Sequence, residues 1–210
     1  MKNPGKRLLL LGFICLSSAM FATTLLQMNL QRLTGNAGKV FRGRVLSIDS
    51  GTVTAGGGQL PTVTYKILVE ESFKGEFAGN EKQKVAVVTM VSNKMGNIRK
   101  GKFVRFSAFR DLPKLEIGKT YLLFTTQPSR IGLSTTVGLG QGAFRIAGKP
   151  GAETAVNEFN NAGLFRGMQA PAAAQAAPAA RAAAAPSAAG SGPVAYSALA
   201  AQIRSIVGGK

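Results

Sequence analysis

Lys94, Arg99, Lys100, Lys102, Arg105 and Arg110 crowd one stretch of the chain, interleaved with Phe103, Phe106 and Phe109 and opposed by Asp111 and Glu116. Cations spaced among rings in this way could grip a polyanion by charge while the rings stack on bases or sugars. The plainer account turns the phenylalanines toward a core and leaves the cations along a solvated strand edge, where they also guard against aggregation.

Residues 132–142 carry the second pattern with chemical potential: Ser134, Thr135, Thr136, Gly138, Gly140 and Gln141 could form a ligand loop. Glycines there permit close backbone approach, and the hydroxyls could bond a ligand. A phosphate-binding loop needs a helix after it, whereas residues 143–146 read as a strand. Ser134 does not sit in a Gly-x-Ser-x-Gly elbow, because Thr136 occupies the last position. The plainer role is a turn at the corner of a sheet.

Catalysis has little to work with. The chain has no histidine and one cysteine, Cys15. Imidazole is the commonest neutral-pH base and metal ligand, and thiolate the strongest side-chain nucleophile. The acidic residues, Glu70-Glu71 included, form no recognisable acid/base motif. We assign no catalytic, metal-binding or cofactor-binding residue, and expect a protein that is not an enzyme and holds no cofactor.

The elements that position these residues begin with an export signal. Lys2, Lys6 and Arg7 precede the apolar run from Leu8 to Leu16, followed by Ser17, Ser18 and Ala19. This is the pattern of a signal peptide over 1–19, cleaved after Ala19, with cleavage after Ala22 as the alternative. It places the protein in the periplasm or outside the cell; a retained N-terminal membrane anchor is the other reading. Cleavage removes Cys15. It also leaves 23 basic residues of the 26, against 9 acidic ones, about +14. Such a chain adheres to polyanions.

A single domain over 23–168 follows, then an Ala/Pro-rich linker over 169–193 that reads as disordered or semi-rigid, then residues 194–210. Tyr196, Leu199, Ala200, Ile203 and Val207 recur there at helical spacing and predict an amphipathic helix that folds back onto the domain. Leu26, Met28, Leu30 and Leu33 predict another, stopping at Gly35. Between them the period is two. Val63, Tyr65, Ile67 and Val69 alternate with polar residues, and similar runs occur at 39–49, 83–91, 103–108, 119–126 and 142–146. Short strands without intervening helices predict a mainly β fold, a small antiparallel barrel with short flanking helices. Gly43, inside the first strand, marks a bulge or bend. The expected core includes Phe41, Val45, Val63, Tyr65, Ile67, Val69, Val85, Val87, Leu123 and Phe124.

The run Val40-Phe41-Arg42-Gly43-Arg44-Val45, then Tyr65-Lys66-Ile67-Leu68-Val69 with Lys74-Gly75, then Leu115-Glu116-Ile117-Gly118-Lys119-Thr120-Tyr121-Leu122-Leu123-Phe124, resembles the netrin-like or tissue-inhibitor-of-metalloproteinases-like module. The resemblance spans roughly Val40 to Ile146 and implies a five-stranded oligonucleotide/oligosaccharide-binding (OB) barrel. Inhibitors of that family chelate a protease zinc through an N-terminal cysteine and carry disulfides. The exported chain has neither, so no inhibitory residue transfers, and the resemblance is to uncharacterised bacterial members of the group.

These readings converge on an exported binding module that recognises a protein partner or an anionic envelope glycan or lipid, in preference to nucleic acid, with peripheral membrane contact as a further mode. The second reading is an inhibitor of an extracellular protease that acts without zinc chelation by cysteine. Oligomeric state is not legible in the sequence.

Overall fold

The period-two run around Val63–Val69 forms one arm of a long hairpin. Strand β1 (Lys39–Ala55) and strand β2 (Gly58–Lys74) pair antiparallel from Val40↔Lys74 to Ala55↔Gly58. Gly56 and Gly57 connect them with φ of 58° and 77°. Two successive positive φ values are what a tight turn needs if it is to match the strand twist, and glycine supplies them without a Cβ clash. The computed structural model describes residues 26–80, 83–92, 112–168 and 191–209. The proposed signal peptide, the strand expected at 103–108, the candidate polyanion-binding residues Lys94, Arg99, Lys100, Lys102, Arg105 and Arg110, and nearly all of the linker lie outside the described residues.

The remaining strands are β3 (Ala78–Asn80), β4 (Gln83–Val91), β5 (Thr120–Thr125), β6 (Ala143–Ala147), β7 (Thr154–Asn157) and β8 (Val194–Ala195). All pair antiparallel in one eight-stranded sheet, in the order β3-β4-β2-β1-β5-β6-β7-β8. Among the described residues the named strands do not close the sheet on itself. Register shifts in β1 at Val40/Phe41, Arg42/Gly43 and Val45/Ser47 bend it, as Gly43 suggested. A Cβ on Gly43 would lie 2.6 Å from the Leu68 carbonyl oxygen, so only glycine fits that close crossing.

Alternation gives the sheet two buried faces. On one, Phe41, Val45, Tyr65, Ile67, Ala86, Val88, Met90, Leu115, Tyr121 and Leu123 pack together. On the other, Val40, Leu122, Phe124, Phe144 and Ala155 are covered by helix α1 (Leu30–Asn36) and helix α2 (Tyr196–Gly208). Leu30, Leu33, Leu199 and Ile203 are wholly buried there. The C-terminal helix therefore docks on its own domain. Among the described residues no helix is long and apolar enough to cross a membrane.

Two expectations need correction. Val85 is only half-buried and Val87 is 59% exposed, because Val63↔Met90, Tyr65↔Val88 and Ile67↔Ala86 pairing turns the other parity of β4 inward. Both parities of this strand are apolar, so its own alternation does not choose a face. At the N-terminus, helix α1 begins only at Leu30. The Asn29 side chain caps it by accepting from the Arg32 N–H at 2.9 Å, which leaves Leu26 68% exposed ahead of the helix.

Candidate functional site

Strand β5 has a single partner on its far side, interrupted once. Tyr121↔Arg145, Leu122↔Phe144 and Leu123↔Ala143 form one run of pairs. Val137 N–H then bonds the Phe124 carbonyl, Thr125 bridges Thr136, and Thr126 N–H bonds the Thr135 carbonyl. Residues 138–142 are looped out between these runs, as an oversized bulge. Gly138, at φ 64°, opens the excursion, and a 3-10 turn, Leu139–Gly142, carries it back. At Gly142 its two feet touch: a Cβ there would lie 2.4 Å from the Val137 carbonyl oxygen.

The structure brings the six candidate ligand-loop residues together in this device, with most of their polar groups bonded within the chain. Ser134 Oγ donates to the Thr126 carbonyl at 3.0 Å, and Thr136 Oγ1 to the Leu139 carbonyl at 2.7 Å. Thr135 N–H bonds Thr126 Oγ1, while Thr135 Oγ1 is buried with no hydrogen-bond partner among the described residues. Gly140 faces the Glu158 carboxylate, 2.5 Å from where a Cβ would stand. Gln141 clamps the N-terminal segment: its Oε1 accepts from Met28 N–H at 2.8 Å and its Nε2 donates to the Leu26 carbonyl at 3.0 Å. Two buried asparagines that sequence reasoning missed brace it from behind. Asn157 Nδ2 donates to the Gln141 carbonyl, and Asn161 Nδ2 to the carbonyls of Ala155 and Gly192. The pair Asn160-Asn161, both at positive φ, was the available signal, since asparagine tolerates that conformation.

A second constellation joins β1, β2, β7 and α2 on the helix-covered face. Arg42 donates to both Glu153 oxygens, at 2.7 and 2.8 Å, and through Nε to Glu70 at 3.0 Å. Its guanidinium lies 4.7 Å from the centre of the Tyr196 ring. The Tyr196 hydroxyl donates to Glu71, which also pairs with Arg204, and Arg204 lies over Phe73. In the sequence alone, Glu70-Glu71 is an unremarkable pair.

The electrostatics reinforce these pairs. Hydrogen bonding to Glu153 raises the Arg42 pKa further above its ordinary value, and the same bonds lower that of Glu153. Burial, then the bond to Glu71, raises the Tyr196 phenol well above its ordinary value. These shifts hold Arg42, Glu153 and Tyr196 in the charge states they have at neutral pH. Among the described residues no three or more His, Cys, Asp or Glu side chains gather into a metal-holding cluster.

A third feature is the outer surface of β1, β2 and β4 beyond the helices. Arg44, Leu68 and Val85 form one row across the strands, and Ser47, Lys66 and Val87 the next. Arg44, Lys66 and Val87 are exposed. No family model, curated protein or solved structure matches this chain.

Proposed function

We propose that the protein is an exported, non-enzymatic binding module built on a small OB-like barrel of the netrin-like kind, and that it holds an anionic envelope component on the outer surface of β1, β2 and β4. The carrying observation is that surface itself. It sets two exposed cations, Lys66 and Arg44, the latter 3.9 Å from Glu70, beside half-buried Leu68 and Val85 and exposed Val87, a mixture suited to anionic headgroups attached to apolar or sugar moieties. The cation-rich stretch from Lys94 to Arg110 follows directly from the end of β4 in sequence and adds to the charge available.

The barrel reading is supported by one hydrogen bond outside the named strands. Ser134 N–H bonds the Thr89 carbonyl of β4 at 2.8 Å, while residues 135 and 136 pair with the end of β5. Residues 134–136 thus bond to β4 on one side and to β5 on the other, which supports reading β1, β2, β4 and β5 as staves of a barrel. In barrels of this kind the outer surface of the second and third strands is a recurrent ligand platform.

Cosedimentation of the mature chain with phosphatidylglycerol vesicles, across a range of salt concentrations, tests the proposal. Binding should fall steeply as salt rises and drop in Lys66→Glu, with phosphatidylcholine vesicles left unbound. Salt-insensitive binding, or full binding by Lys66→Glu, overturns it.

A further inference from the structure

We propose that the edge of β1 beyond Val45 receives an extended strand from a partner polypeptide, antiparallel to residues 47–55 and ending in acidic side chains beside Arg44, Lys66 and Lys119. Strand β5 covers this edge of β1 only from Lys39 to Arg44. Val45 then bonds Lys119 and Gly118 at 3.0 and 2.8 Å. From Leu46 to Ala55 no described residue pairs with that edge.

The direction of the backbone groups follows from a proline. The Pro61 carbonyl accepts from Ser92 N–H on the β4 side, at 2.8 Å. A strand residue sends its N–H and C=O to the same side, so Pro61 faces β4 and exchanges no hydrogen bond with Thr52, the residue opposite it on β1. Thr52 therefore presents both groups to the free edge. With an unbroken register from Ser47 to Ala55, Ser50 and Thr54 do the same. This is a ladder of donors and acceptors at the spacing of a β-strand.

Composition selects the occupant. Residues 50–64 contain no charged side chain, in a chain where 17% of residues are charged. Free edges are normally guarded by lysine, proline or a bulge; here the bulge lies at the base, Val45/Ser47, and the one charge on the edge, Asp49, accepts from Ser47 Oγ at 3.1 Å. A polyanion finds no cation along this ribbon, whereas an uncharged strand rich in β-branched residues finds a matching template. The cations stand at the base, where Arg44, Lys66 and Lys119 are all exposed and, among the described residues, only Arg44 is paired with a carboxylate, Glu70, at a loose 3.9 Å. An antiparallel guest has its C-terminal end at that base, which calls for acidic residues there.

The test uses the mature chain and a fluorescent peptide, Thr-Val-Thr-Val-Thr-Val-Asp-Glu, with a twin ending in Lys-Lys. Anisotropy should show the acidic peptide binding about tenfold or more tighter than its twin, and hydrogen exchange should slow at the Ser50, Thr52 and Thr54 amides when it binds. Thr52→Pro deletes the central outward N–H and leaves the pairing to β2 intact, since proline is tolerated where a strand faces solvent. This variant should lose the peptide while keeping its melting temperature and its vesicle binding, which separates failure of the edge from failure of the outer surface. Four results overturn the proposal: equal binding of the two peptides, unchanged binding by Thr52→Pro, protection of these amides in the free monomer by the chain's own residues, or their protection through self-association.

Discussion

Arg42 and Glu153 stand 111 residues apart in sequence and meet through two parallel hydrogen bonds, at 2.7 and 2.8 Å. The pair ties β1 to the residue that immediately precedes β7, and the ring of Tyr196 against the guanidinium brings the C-terminal helix into the same joint. Both side chains are largely shielded from water. A paired charge in that setting costs most when one partner is removed, because the other stays desolvated and uncompensated.

Arg42→Met should therefore destabilise the fold by about 2–4 kcal/mol, read as a lower urea midpoint. Arg42→Lys should recover only part of the loss, since an ammonium cannot bond both Glu153 oxygens in the same fork or stack flat on Tyr196.

The same joint sets a pH dependence at the acid end. Arg42 hydrogen bonds hold the Glu153 carboxyl below its ordinary value in the folded chain. The stability this contributes is complete above the ordinary carboxylate range and is lost as pH falls through the lower folded value. Glu153→Gln should flatten that part of the acid unfolding curve.

At the alkaline end the tyrosines decide. All three, Tyr65, Tyr121 and Tyr196, have phenols raised above the ordinary value, chiefly by burial. Their contribution is complete below about pH 10 and declines as pH rises toward the folded values. Phenolate absorbance should appear late and steeply, together with the loss of the sheet signal in circular dichroism. An ordinary, gradual titration of one tyrosine before unfolding would contradict this.

Gly142→Ala should be far more damaging than Gly132→Ala. A Cβ at Gly142 meets the Val137 carbonyl oxygen at 2.4 Å, and backbone cannot easily yield. At Gly132 no described atom lies within 4 Å, and only the strain of a positive φ remains, about 1 kcal/mol. Thermal unfolding of the two variants makes the comparison.

Removing residues 194–210 should lower the melting temperature by about 10 °C or more. Leu199 and Ile203 are wholly buried, and side chains of this kind contribute roughly 2–5 kcal/mol each, at about 2–4 °C per kcal/mol in a chain of this size. The uncovered face of Val40, Leu122, Phe124 and Phe144 should then bind a hydrophobic dye, with the β signal retained.

Much of the sheet was legible because a strand buried on one side writes its face into alternate residues. Residues 63–69, with Tyr65 and Ile67 inward, and the strands at 39–49, 83–91, 119–126 and 142–146 all appear close to where that pattern put them. The terminal helix was legible for the same reason, at a period of 3.6. Strands β3, β7 and β8 were not, because two to four residues carry too little pattern to separate strand from turn. Of the candidate site, the glycine-rich run was seen as a corner device, but not the partners its side chains take.

What the sequence determined by itself is local: period, turn chemistry at Gly56-Gly57, the bend at Gly43, the balance of charge, and the absence of histidine. Tertiary structure decided everything that depends on which segments meet. It chose Ala86, Val88 and Met90 over Val85 and Val87, because pairing with β2 breaks a tie between two apolar parities. It turned residues 138–142 into a bulge clamped to the N-terminal segment, and it joined Arg42 to Glu153. A chain encodes its short-range geometry in neighbouring residues, whereas a hydrogen bond across 111 residues leaves no mark on either one until the sheet brings them together.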